Sequence, residues 1–194
     1  SVLEKVNSIR NPTTQLHLLG VYRLGVIEQF SKFGVSSFDS TSPLMKGLKD
    51  EKYNYHTPDS DGYTSIGIPQ VGGNLAMKRL VSSGKVDQNY ALLLEQECLN
   101  NVIQYDKGLV EIGDVVNSLC EYEALHSPNV SRRSLFEEVL SDKPWKFCQC
   151  EICKKIGIHV ILKRGAQRNR RRGFHNLFVA YKKLQYELMV SNER

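Results

Sequence analysis

The chain has 194 residues and a formal net charge of +5, and 41% of its residues are hydrophobic, so one ordinary domain with a core is expected, with or without a small appendage. No apolar stretch is long enough to span a bilayer and no signal segment follows Ser1, which argues against a membrane protein. Five cysteines, an odd number, argue against a secreted disulfide scaffold and favour a reducing cytoplasm.

The first part of the chain predicts a strand, a short helix and a second strand. Residues 16–21 are an apolar run bounded by a proline turn and a glycine, which is typical of a buried strand. Residues 25–33 have helical spacing and end before Gly34, and Val35–Phe38 is a second apolar run that ends at Asp39. This order is the repeating element of a parallel α/β fold.

The middle of the chain predicts an irregular segment followed by helices. Residues 50–74 are rich in Asp, Gly, Tyr, Asn and Pro, and only residues 63–71 suggest an extended piece. Helical spacing then predicts four helices, at about 75–83, 87–105, 111–125 and 131–140. In the second of these, the spacing predicts a common face formed by Tyr90, Leu93, Leu94, Glu97 and Asn101.

The last part of the chain carries a metal-binding pattern. Three cysteines, Cys148, Cys150 and Cys153, lie within six positions, and this Cys-x-Cys-x-x-Cys spacing folds the backbone into a tight turn around one ion. A histidine completes a tetrahedral Cys3His zinc site; His175 is favoured, and His159 is the alternative. Because protein ligands fill all four positions, the zinc is expected to be structural.

The residues that follow the cysteines predict a strand at 158–162, a basic loop at 163–173 and a final helix at about 176–190. The loop carries the six cations Lys163, Arg164, Arg168, Arg170, Arg171 and Arg172. Arginine forks suit phosphate oxygens, so the loop predicts nucleic-acid binding. A solvated loop without a ligand is the alternative interpretation.

Asp39 is the candidate catalytic residue, since it follows a parallel strand at the end where α/β barrels carry out chemistry. An aspartate at such a position also commonly serves as a turn or cap residue.

Taken together, these motifs resemble the C-terminal part of the tRNA-guanine transglycosylase family. The matching segments are His17-Leu-Leu-Gly20-Val21, Gly34-Val-Ser-Ser-Phe38-Asp39 with Pro43, and the three cysteines with His175-Asn176-Leu177. Pro144-Trp145-Lys146 before Cys148, and Arg168-Asn-Arg-Arg-Arg-Gly-Phe before His175, are closer still to the DpdA-type DNA 7-deazaguanine transglycosylases.

The resemblance implies a fold and a mechanism. Residues 1–49 would be the last strands of a TIM-type (β/α)8 barrel with Asp39 as nucleophile, residues 50–143 a mostly helical insertion, and residues 144–194 a zinc-binding subdomain with the basic loop and the C-terminal helix. The activity implied is exchange of guanine in DNA for a 7-deazaguanine such as preQ0, through a covalent aspartyl-glycosyl intermediate.

Two departures from the family pattern leave alternatives open. The tRNA enzymes have a Thr-Arg pair where this chain has Leu44-Met45, which favours DNA over tRNA as the substrate. The first half of the family's barrel, which reads the base, has no counterpart in this chain. The chain begins at Ser1 with residues that are typical of the end of a helix. A second chain or segment is therefore expected, without which the chain is inactive. A non-catalytic, zinc-stabilised nucleic-acid-binding subunit is the alternative function.

Overall fold

The computed structural model describes residues 1–192, a mixed α/β protein in which helices predominate. The α-helices are α1 (Val2–Ile9), α2 (Ile27–Lys32), α3 (Ser42–Lys49), α4 (Leu75–Ser82), α5 (Gln88–Asp106), α6 (Ile112–His126), α7 (Arg133–Asp142), α8 (Pro144–Phe147), α9 (Glu151–Ile156) and α10 (Ala166–Asn192). The strands are β1 (Leu16–Leu18), β2 (Val35–Phe38), β3 (Ile66–Gly67) and β4 (Leu162–Lys163), and 3-10 turns cover Leu24–Val26 and Gly157–Val160. Within residues 1–192, no helix combines the length and the apolar character needed to cross a bilayer.

The predicted strand–helix–strand unit at the start of the chain is confirmed. Strands β1 and β2 pair in parallel, with Leu16 opposite Val35 and Leu18 opposite Phe38, and α2 lies between them in the chain. Gly34 has a φ of +69° and follows the last turn of α2, a conformation that a glycine adopts without strain. The chain therefore leaves β2 directly at Asp39.

The predicted strand at residues 158–162 is wrong for most of its length. Gly157–Val160 is a 3-10 turn, and only Leu162–Lys163 forms a strand, which pairs in parallel with β3. Ile158, Val160 and Ile161 are nevertheless fully buried. A short apolar run has the same sequence pattern in a buried strand and in a buried helical turn, because apolar side chains are buried in both.

One hydrophobic core unites the middle and the end of the chain. It includes side chains of the helices α5, α6 and α7 together with Trp145, Cys150, Cys153 and the residues of the 3-10 turn. The predicted insertion and the predicted zinc-binding subdomain therefore share a core, since the cysteines lie in the same cluster as the helical residues.

The buried face of α5 differs from the predicted one. The residues that it buries are Ala91, Leu94, Glu95, Cys98, Val102 and Tyr105. Leu94 alone was on the predicted face, and Tyr90 and Leu93 are 45% and 62% exposed. The observed face is displaced by about one residue from the predicted one, and it contains Glu95. Glu95 is tolerated there because Arg164 Nη2 lies 2.6 Å from its carboxylate and the Val71 N–H donates to it.

The helices α3 and α10 cross at two glycines. Asn176 bonds to Pro43 near the start of α3, whereas Arg172, earlier in α10, bonds to Gly47 near its end, so the two helices run antiparallel. A Cβ atom added to Gly47 would lie 2.7 Å from the Cα and N atoms of Gly173. The crossing thus depends on the absence of side chains at both positions.

We expect Gly47→Ala to destabilise the protein by about 1–3 kcal/mol, because the added methyl group meets backbone atoms that cannot rotate away. Gly113→Ala on α6 is the matched control, since open space surrounds Gly113 and an added methyl group meets no atom there. Urea unfolding of the two variants measures the difference. Equal stability of both variants would contradict the close helix crossing.

Candidate functional site

Three cysteines and one histidine form a candidate metal centre between α8, α9 and α10. The Nδ1 atom of His175 lies 3.4 Å from Cys148 Sγ, 3.5 Å from Cys150 Sγ and 3.4 Å from Cys153 Sγ. All four potential ligand atoms lie within 4.8 Å of one another. Three thiols and an imidazole nitrogen gathered in this way can bind a metal ion, and the donor set is the one that zinc takes in structural sites.

The imidazole of His175 is held so that Nδ1 faces the thiols. Its other nitrogen, Nε2, lies 2.8 Å from the carbonyl oxygen of His56, to which it donates a hydrogen bond. The ring of Tyr55 stacks on it at a centroid distance of 3.9 Å and an interplanar angle of 10°. A ligand histidine commonly donates its second N–H to a carbonyl or carboxylate, which fixes the tautomer and leaves the other nitrogen free for the metal.

The local fold of the cysteine segment also follows from hydrogen bonds to sulfur. Cys150 is the N-cap of α9, and its Sγ accepts from the Cys153 N–H at 3.3 Å. Cys148 ends α8, and its Sγ lies 3.5 Å from the Cys150 N–H. These N–H donors would stabilise thiolates, which are the forms that bind metal.

Contacts among the thiols shift their pKa values in opposite directions. Hydrogen bonds from the thiols of Cys150 and Cys153 lower the pKa of Cys148. The same contacts and burial raise the pKa of Cys153. Burial raises the pKa of Tyr55, so its hydroxyl stays protonated and can donate to Cys153 Sγ at 3.3 Å.

His159 lies apart from the cysteines. It belongs to the 3-10 turn, and the only group of metal-binding residues found within the described part of the chain contains His175 instead. Burial and the charges of Arg168 and Arg171 lower the pKa of His159. Of the two histidines considered from the sequence, His175 is thus the one placed to bind a metal with the cysteines.

Asp39 lies at the carboxyl end of β2, as the sequence predicts. Its backbone N–H continues the β1–β2 ladder by donating to Leu18 at 3.2 Å, and its side chain is exposed. The Oδ1 atom accepts a hydrogen bond from the Gly20 N–H at 2.7 Å, which leaves Oδ2 pointing away from this contact. The backbone of Gly20, just after the end of β1, therefore orients the carboxylate.

The basic segment is helical rather than a loop, because α10 begins at Ala166 and includes four of the six predicted cations. Three of the six are engaged within the protein. Lys163 contacts Glu51 at 2.8 Å, Arg164 pairs with the buried Glu95, and Arg172 is itself fully buried. Of the other three, Arg170 and Arg171 are exposed and Arg168 is half-buried.

The residues around the candidate metal site that sequence reasoning missed are Tyr55 and His56. Both lie in the irregular segment 50–74, whose sequence carries no pattern that connects it to the cysteines. They are nevertheless part of the site, through the ring of Tyr55 and the carbonyl of His56. Asn176 belongs to the motif found in the sequence, but its hydrogen bonds to Pro43, Asn54 and His56 were not predicted.

A comparison with curated proteins adds a relative. A protein named DNA-guanine transglycosylase, from Salmonella montevideo, is 41% identical to this chain over an alignment that covers 98% of it. The resemblance to the guanine transglycosylase family is thereby confirmed. The chain spans about half the length of this relative, 47%. No family model matches the chain.

We expect the protein to bind one metal ion per chain and to lose it in His175→Ala but not in His159→Ala, because only His175 Nδ1 reaches the three thiols. Cys150→Ser should also lose the ion, together with much of the C-terminal fold, since metal binding and folding are coupled. Elemental analysis of freshly purified, reduced protein measures the stoichiometry. Full metal content in His175→Ala would contradict this ligand set.

Proposed function

We propose that this chain is the C-terminal half of a base-exchange glycosyltransferase that replaces guanine in DNA with a 7-deazaguanine such as preQ0. The observation that carries the proposal is the similarity of nearly the whole chain to a DNA-guanine transglycosylase. The position of Asp39 supports it, because an exposed carboxylate at the carboxyl end of a parallel strand is where barrel enzymes place reacting groups.

Asp39 would act as the nucleophile in two displacement steps. In the first, a carboxylate oxygen bonds to C1′ of the target nucleotide, the C1′–N9 bond breaks, and guanine leaves with the bonding electrons and takes up a proton. In the second, the nitrogen of the incoming 7-deazaguanine bonds to C1′ and loses its proton, and the Asp39 carboxylate leaves. The Gly20 N–H, on Oδ1, would hold the carboxylate while Oδ2 attacks.

The target nucleotide must leave the base stack before this attack. C1′ of a stacked and paired nucleotide is not accessible to a side chain, so such enzymes flip the nucleotide out or act on a single strand. Asp39 is exposed and lies at a strand end, which leaves space for an extruded nucleotide.

A second segment would supply the rest of the barrel and the pocket that reads the base. Within residues 1–192, β1 and β2 pair only with each other, so each has an edge with unpaired backbone groups. The relative is about twice as long as this chain. We infer that the strands of an eight-stranded barrel continue on these edges, and that the chain alone does not turn over.

The metal centre would bind structural zinc. All four positions of a tetrahedral ion can be filled by Cys148, Cys150, Cys153 and His175, which leaves none for water. Bound zinc would tie the cysteine segment to α10 and so contribute directly to folding.

The exposed part of the basic segment would bind the polynucleotide backbone. Arg168, Arg170 and Arg171 remain as candidates, since the other three cations are used inside the protein. Because α3 and α10 are antiparallel, these arginines lie toward the end of α3 that is remote from Asp39. At about 1.5 Å per residue, Arg170 lies about 9 Å along α10 from Asn176. They would therefore hold phosphates beyond the reacting nucleotide.

Two other functions are kept as alternatives. A tRNA-guanine transglycosylase would use the same nucleophile, but Leu44-Met45 replaces the Thr-Arg pair of the tRNA enzymes. A non-catalytic, nucleic-acid-binding subunit would need the arginines and the metal but not Asp39. The observation that favours it is that the chain spans only about half of its relative.

We expect Asp39→Asn to abolish the covalent adduct between the complete enzyme and DNA, because the amide cannot displace guanine. Asp61→Asn, also at an exposed aspartate, is the matched control and should leave the adduct yield unchanged. Denaturing gel electrophoresis of enzyme trapped with labelled DNA measures the adduct. An adduct that survives in Asp39→Asn would contradict the assignment of the nucleophile, and salt-dependent binding without base exchange would favour the binding subunit.

We expect each of the single changes Arg168→Met, Arg170→Met and Arg171→Met to reduce the slope of log K against log[salt] for DNA by about 1, since one phosphate contact is lost. Arg79→Met, at an exposed arginine of α4, is the control. Fluorescence anisotropy at several salt concentrations measures the slope. Slopes equal to that of the control would show that this surface does not contact phosphate.

A further inference from the structure

The metal ligand His175 lies between two residues of α10 that hold α3. Arg172 and Asn176 are one helical turn apart, and both are fully buried. Each donates to backbone carbonyl oxygens rather than to side chains, and each reaches a different end of α3. This arrangement connects the metal site to the helix that follows Asp39.

Arg172 holds the end of α3. Its Nε donates to the Gly47 carbonyl at 3.0 Å, and its Nη1 donates to the Leu162 carbonyl at 3.3 Å. The Gly47 carbonyl belongs to the last turn of α3, where helix carbonyls lack partners within the helix and carry the negative end of the helix dipole. Burial lowers the pKa of Arg172 to about 10, so the guanidinium stays charged at neutral pH.

Asn176 holds the beginning of α3. Its Nδ2 donates to the Pro43 carbonyl at 3.2 Å and to the Asn54 carbonyl at 3.0 Å. Its Oδ1 accepts from the His56 N–H at 3.0 Å, and the carbonyl of the same His56 accepts from the His175 imidazole. Asn176 therefore bonds both to α3 and to the residue that orients the metal ligand.

The position of α3 bears directly on Asp39. Helix α3 begins at Ser42, three residues after Asp39, and Pro43 lies in its first turn. The hydrogen bonds at Pro43 and Gly47 hold both ends of the helix, and the contact between Gly47 and Gly173 leaves no space for it to approach α10 more closely. A shift of α3 must accordingly move the segment that carries the carboxylate.

We propose that Arg172 and Asn176 are positioning residues through which the occupied metal site holds Asp39 in place. This proposal rests on the proposed function, in which Asp39 is the nucleophile. Metal bound to Nδ1 immobilises the His175 turn of α10, and the two flanking side chains pass this constraint to the ends of α3. A displacement of about 1 Å at a reacting group can lower a rate by about 100-fold, so a loosened α3 would slow the reaction without weakening DNA binding.

Asn176→Asp tests the proposal with a side chain of the same shape. The aspartate keeps an oxygen for the His56 N–H but removes the donor to Pro43 and Asn54. In the complete enzyme we expect the metal content to stay at one per chain, the Kd for DNA to change by less than about 2-fold, and the rate of adduct formation at Asp39 to fall about 10- to 100-fold. Asn100→Asp, at an exposed asparagine of α5, is the control.

Hydrogen exchange provides a readout that is independent of activity. We expect the amides of α3 and of Asp39 to exchange faster in Asn176→Asp, and in the unaltered protein after a chelator removes the metal, while the amides in the middle of α5 change less. Arg172→Lys is the second variant, since it keeps the charge but loses the planar fork, and it should show the same pattern.

The outcomes separate the two proposals. If metal removal and both variants leave the exchange of α3 unchanged, the link between the metal and α3 is overturned, whatever the activity. A variant that exchanges faster in α3 but forms the adduct at the original rate would overturn the positioning role. If Asp39→Asn still forms the adduct, the proposed function fails, whereas the exchange result for α3 stands by itself.

Discussion

The imidazole of His175 is the point on which the C-terminal part of this structure depends. One of its nitrogens faces three thiols, and the other donates to the carbonyl of His56. The hydrogen bond at Nε2 fixes the tautomer that leaves Nδ1 free as a ligand. The cysteine turn, the irregular segment at 50–74 and α10 meet at this ring, although they are far apart in the sequence.

Some cations of the basic segment bond to groups within the protein, and others are exposed at its surface. Arg164 neutralises the buried Glu95, which also accepts from the Val71 backbone, and Arg172 binds carbonyl oxygens at the end of α3. Arg164 is paired with a carboxylate, whereas Arg172 bonds only to carbonyl oxygens and its Nη2 has no hydrogen-bond partner among residues 1–192. Arg170 and Arg171 remain exposed on the same helix, and Arg168 is half-buried. Charge in a sequence is therefore not by itself a measure of the charge available to a ligand.

Sequence patterns predicted the local elements well where glycines and apolar runs mark the ends of a strand or helix. The strand–helix–strand unit before Asp39 was predicted because glycines and apolar runs mark its limits. The predicted face of α5 is displaced by one residue from the buried face. It includes Leu93, which is exposed, and omits Glu95, which is buried. The reason is that the partner of Glu95 is Arg164, sixty-nine residues later in the chain, which no local pattern reveals.

What the sequence determined by itself is the spacing of the three cysteines, which is typical of a metal site, and the position of Asp39 directly after an apolar run. Both are local properties, so they can be read from the order of the residues. Only the tertiary structure decided that the arginine segment is helical, that His175 and not His159 faces the thiols, and that Tyr55 and His56 complete the site. These features depend on contacts between distant segments, whose free energy comes from packing and desolvation and leaves no periodic trace in the sequence.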